Sequence, residues 1–170
     1  MEHGNFTNEP LPVEFDPFTG PEILQIIPIT EAQSEIWVSC RLGAEDANKS
    51  YNESVSLRLT GPFDSTAMER ALQQLIARHE ALRSAFSGDG SRIIVFRELP
   101  TNLRYEDLSA ISPPEQQTFI DDFTTKEAET AFDLLNGPLF RLALFKLNEE
   151  DHFFKLTAHH IICEDRKSVV

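Results

Sequence analysis

The segment PLFRLALFKLNEEDHFFKLTAHHII, residues 138–162, constrains this chain more than any other. Two apolar runs rich in Phe and Leu stand on either side of the polar turn NEED, the pattern of a strand pair joined by a hairpin connection. The apolar density of both strands implies a largely covered sheet, since a sheet with one wet face alternates apolar and polar positions. The rest of the chain has to supply the covering layers.

Candidates for those layers are legible upstream. PITEAQSEIWVSCRLG, residues 28–43, reads as a helix: Thr30 and Gln33 make a capping-box pair, Ile36, Trp37 and Cys40 share one face, and Gly43 closes it. DSTAMERALQQLIARHEAL, residues 64–82, opens on Asp64 or Ser65 as cap and carries Met68, Leu72, Leu75 and His79 at helical spacing. That places His79 in the core, on the buried side of an amphipathic helix lying on the sheet. SPPEQQTFIDDFTTKEAETAF, residues 112–132, has two prolines at a helix start and Phe119, Phe123 and Phe132 on an otherwise polar surface, a more exposed second helix. NESVSLRLTG, residues 52–61, alternates Val55, Leu57 and Leu59 with polar residues, which predicts a strand with one buried face. SRIIVFRE and LRYEDL are shorter strand candidates. The order predicts an α+β fold, an α/β sandwich with a mixed sheet covered by helices on at least one face. Residues 1–25 are read as an acidic leader, poorly ordered and punctuated by Pro10, Pro12, Pro17 and Pro21, and residues 26–170 as the domain.

Charge narrows the partners. A formal net charge of -13 over 170 residues, with no basic stripe, argues against nucleic acid. Residues 106–133 carry eight carboxylates against Lys126 alone, which reads as a solvated face. The amino terminus lacks the basic start and apolar run of a signal peptide, and no apolar stretch is long enough to span a bilayer, so the expected location is the cytoplasm, away from membranes. Cys40 and Cys163 are isolated and without metal or redox spacing, as reduced thiols are.

The chemistry-bearing residues are His159 and His160, at the end of the last strand. Period-two geometry sends Phe154, Leu156, Ala158, His160 and Ile162 to one face and Phe153, Lys155, Thr157, His159 and Ile161 to the other. His160 shares the more apolar face, which predicts a partly desolvated, neutral imidazole suited to general-base work. Side-chain geometry alone also fits a satisfied core histidine. A Cys163 nucleophile lacks a group to orient its imidazole, and His160 with Glu164 has metal-ligand spacing only on a continuous helix, so neither a thiol enzyme nor a metal site is expected.

Several motifs together, HHIICED, RHEALRSAF upstream, ITEAQSEIWVSCRLG and FDLLNGPLFRLALFKLNEEDHFFKLTAHHII, resemble in order and spacing the amino-terminal half of a condensation domain of non-ribosomal peptide synthetases. The resemblance covers residues from about 26 to 170. It implies a fold like chloramphenicol acetyltransferase, in which two lobes meet along a tunnel, and a signature His-His-x-x-x-Asp-Gly at the junction. It further implies that His160 removes a proton from an acceptor amine or positions that amine, with His159 as support. The domain itself would bind no cofactor: 4'-phosphopantetheine arrives on upstream and downstream carrier proteins. The second lobe and an adjacent adenylation domain would be further partners, and one lobe without the other is expected to be inactive.

Two signature positions depart from the pattern. Glu164 stands where the family has Asp, and Asp165 where it has Gly. The Asp pairs with an arginine that corresponds to Arg78, and Glu164 keeps that charge. Asp165 replaces a residue with more backbone freedom and brings a second carboxylate near His160. These departures motivate the alternative of a catalytically impaired, condensation-like docking platform for carrier proteins. Within the superfamily, an epimerisation domain or an alcohol-acylating relative is the nearest other enzyme, and the heterocyclising branch is disfavoured by the His pair.

Overall fold

The computed structural model of the chain describes residues 20–163. Most of the expected leader, together with Glu164 and Asp165, lies outside the described residues. The hairpin that dominates the sequence forms as expected: β6 (Phe140–Asn148) runs antiparallel to β7 (Asp151–His159), turning through Glu149 and Glu150. Around it stand β1 (Ile23–Pro28), α1 (Glu31–Leu42), α2 (Ala44–Ser50), β2 (Asn52–Thr60), α3 (Ser65–Arg78), β3 (Ser84–Phe86), β4 (Arg92–Phe96), β5 (Leu103–Asp107) and α4 (Pro113–Ala128). Three-residue and four-residue 3₁₀ turns follow β7 (His160–Ile162) and α3 (Glu80–Arg83).

The strands form two sheets. A four-stranded mixed sheet has the order β2-β7-β6-β5, with β5 parallel to β6, and a three-stranded antiparallel sheet has the order β1-β4-β3. One face of the larger sheet, with Leu142, Leu144, Phe154 and Ala158, packs on Ile36 and Cys40 of α1, Ile76 of α3 and Val95 of β4. The opposite face, with Ala143, Phe145 and Phe153, packs on Ile120 and Phe123 of α4. The large sheet is therefore covered on both sides, which is why its two central strands are nearly continuous in apolar residues.

The helix caps follow the sequence. Thr30 Oγ1 accepts the Gln33 N–H at 3.2 Å, and Gln33 Oε1 accepts the Thr30 N–H at 3.1 Å, so the expected capping box closes α1. Asp64 caps α3 by accepting the Ala67 N–H. Ser112 and Glu115 cap α4, whose first turn carries Pro113 and Pro114.

Four expectations need correction. Ile23–Pro28 is a strand paired with β4, so residues 23–25 belong to the fold and not to the leader. Val55 and Leu57 are 52% and 46% exposed, because β2 is an edge strand, and of its three apolar residues only Leu59 packs against the core. His79 is exposed: α3 ends at Arg78, and His79 is its cap residue in extended backbone. Helix α4 is less exposed than expected: Ile120 and Phe123 are buried against Phe145.

Candidate functional site

The site is built where β7 stops. The His159 N–H donates to Leu139 O at 2.9 Å, and the His160 N–H donates to Tyr51 O at 2.8 Å. Beyond His159 the backbone tightens into the 3₁₀ turn, closed by the Cys163 N–H on His160 O at 2.8 Å. Two contacts hold that turn against the body of the fold. Gln33 Nε2 donates to Ile161 O at 3.1 Å, so the residue that caps α1 also anchors the turn. Nδ1 of His159 accepts the Ile161 N–H at 3.2 Å and caps the turn from within.

The end of the strand reverses the expected environments of the two histidines. His159 is fully buried, between the rings of Tyr51 and Phe132 with Cys40 at its Nε2. Burial, then the neighbouring His160, pushes its pKa down to about 4, against a hydrogen bond to the Asn48 backbone. His160 is the more accessible of the two, with its side chain 31% exposed. The period of two ends at His159, three residues earlier than expected, and His160 takes its direction from the 3₁₀ turn.

His160 Nδ1 lies 2.7 Å from Glu53 Oε1, and its ring stacks near Tyr51 with centroids 6.4 Å apart and 14° between planes. Glu53 sits on β2 opposite Ala158 of β7. Sequence reasoning missed Glu53, Tyr51 and Gln33 as parts of this site, because only the pairing of β2 with β7 and the docking of α1 bring them to His160. The alternation of NESVSLRLTG identifies the strand but not its register.

The structure does not join Arg78 to this cluster through any described residue. Arg78 is the last residue of α3 and is exposed, while Glu164, its expected partner, lies outside the described residues together with Asp165. Arg83, in the same stretch, is instead buried, donating to Phe96 O at 2.5 Å and lying 3.7 Å from Glu80. Among the described residues no three His, Cys, Asp or Glu side chains gather to hold a metal ion, and no helix is long and apolar enough to cross a membrane.

Known proteins place the chain. Residues 23–165 match the sequence profile of the Condensation domain family, and the chain belongs to that family. It is 31% identical over 141 residues to chondramide synthase of Chondromyces crocatus, and 30% identical over 138 residues to malpinin synthetase of Mortierella alpina. These matches take in 82% and 81% of this chain but only 4% and 2% of those proteins. In three dimensions it is similar to the starter condensation domain of rhizomide synthetase, with a TM-score of 0.71 and 25% identity, over 81% of this chain and 34% of that one. The first condensation domain of the CDA synthetase shares the fold at a TM-score of 0.67 and 24% identity, over 81% of this chain and 35% of that one. The α+β architecture expected from the sequence, with its mixed sheet, is thus that of a condensation domain.

Proposed function

We propose that these residues form the amino-terminal lobe of a domain that makes amide bonds between a carrier-bound acyl or peptidyl donor and a carrier-bound aminoacyl acceptor. The acceptor amine attacks the donor thioester carbonyl, the C–N bond forms, the C–S bond breaks and the pantetheine thiol leaves. His160 takes the proton shed by the amine or holds that amine in line for attack. The observation that carries this reading is the accessible imidazole of His160 at the end of the covered strand β7, on a turn fixed by Gln33 and His159.

The second lobe supplies the opposite wall, and the phosphopantetheine arms of two carrier domains bring the substrates. An adenylation domain loads the acceptor carrier. The reaction belongs to the cytoplasm, where such carriers are charged. Within this reading Glu164 pairs with Arg78, which a double-mutant cycle on stability tests: coupling near zero removes the pair.

The test of the function is transfer from an acylated donor carrier to an aminoacylated acceptor carrier. The full-length protein bearing this chain is expected to form the amide, and the 170-residue chain alone to form none. Absence of product from the full-length protein with loaded carriers contradicts the proposal.

A further inference from the structure

Glu53 approaches His160 from the neighbouring strand, with Oε1 2.7 Å from Nδ1. An ionised carboxylate only accepts hydrogen bonds, so this contact with a neutral imidazole requires the proton on Nδ1. Nε2 is then the acceptor nitrogen of the ring. The location of the imidazole is fixed by the residue two before Glu53: Tyr51 O takes the His160 N–H at 2.8 Å, and the Tyr51 ring lies 14° from parallel to it. Cys163 also reaches Glu53, but burial and then the charge of that carboxylate push its thiol up, so it remains protonated. Both partners are partly exposed, Glu53 by 55% and His160 by 31%, and ion pairs so placed stabilise a fold little. The effect of the contact falls on the tautomer of the ring.

We propose that Glu53 is the positioning residue of His160. It holds the ring as the Nδ1–H tautomer, so that the basic lone pair is on Nε2, and it stabilises the imidazolium formed when Nε2 takes the proton of the acceptor amine. The proton on Nδ1 stays there throughout, shared with the carboxylate, and the proton on Nε2 leaves with the thiol product. This rests on the reading of His160 as the acting histidine.

Nitrogen NMR of the ring-labelled 170-residue chain, at a pH where the imidazole is neutral, reads the tautomer directly. The expected result is an Nδ1–H ring in the wild type and in Glu53→Gln, whose amide oxygen still accepts, and a shift toward Nε2–H in Glu53→Ala. In the full-length protein, Glu53→Ala is expected to lower kcat about 10- to 100-fold with little change in KM, and Glu53→Gln to recover part of the loss. An Nε2–H ring in the wild type, or a ring unaffected by Glu53→Ala, overturns the proposal. Wild-type turnover in Glu53→Ala beside lost turnover in His160→Ala overturns it alone. Wild-type turnover in His160→Ala overturns the reading beneath it, and the proposal with it.

Discussion

Cys40 Sγ and His159 Nε2 lie 3.8 Å apart with both residues buried. Because Nδ1 of that ring accepts the Ile161 N–H, Nε2 carries the proton, so the imidazole cannot serve as base to the thiol. Burial pushes the Cys40 thiol up and closes it to reagents, whereas Cys163, although also pushed up, is exposed, so access separates the two. Native chain treated with a thiol reagent near about pH 8 is therefore expected to titrate one cysteine, the exposed Cys163, and to yield Cys40 only after denaturation. Two thiols reacting at the same rate in the native chain contradict this.

Stability should fall in acid through His159. Its pKa is about 4 when folded and near 6.5 when free, so the unfolded chain binds the extra proton between those values. The contribution of the neutral ring is fully present above that window and is lost as pH falls through it, by about 3 kcal/mol in all. Urea unfolding of wild type and His159→Gln at several pH values across the window measures it. The variant is expected to lose less stability on acidification, and parallel pH dependences contradict the assignment.

Lys155 is a buried cation with weak compensation. It is 3% exposed, and its Nζ reaches Ser56 Oγ at 3.4 Å. Burial pushes its pKa down, with Glu127 opposing from a distance. Lys155→Met keeps the stem and removes the charge, and is expected to raise stability by about 1–2 kcal/mol. Thermal unfolding reads this as a higher Tm, and a lower Tm contradicts it.

Gly90 turns the β3–β4 connection with φ at +67°, and a Cβ there would come 2.4 Å from Cδ2 of Trp37. Gly90→Ala combines an unfavourable backbone with displacement of the indole, and is expected to cost more than about 1 kcal/mol and to shift Trp37 emission. An unchanged unfolding midpoint with unchanged emission contradicts the packing described.

What the sequence disclosed follows from how local its physics was. The capping box of Thr30 and Gln33, the Asp64 cap and the hairpin around NEED depend on residues close in the chain, and all formed as expected. The strand Ile23–Pro28 escapes a local reading because its partners in β4, from Arg92 opposite Pro28 to Phe96 opposite Ile23, are far along the chain and its flanks carry prolines. His79, Val55 and Leu57 read as core because periodicity tells which residues share a face, not how far the covering layer extends over it. At the site, the histidine pair and its family are readable from motif order, while Glu53 is not, since its place beside His160 is set by strand register.

The most direct test of the central claim is the rate of amide formation by the full-length protein with His160→Ala, using loaded donor and acceptor carriers and checking folding by circular dichroism. If His160 is the acting histidine, turnover falls by about 100- to 10,000-fold with folding and carrier binding intact. Unchanged product formation by a folded variant would contradict the account and leave His160 a structural residue of the turn.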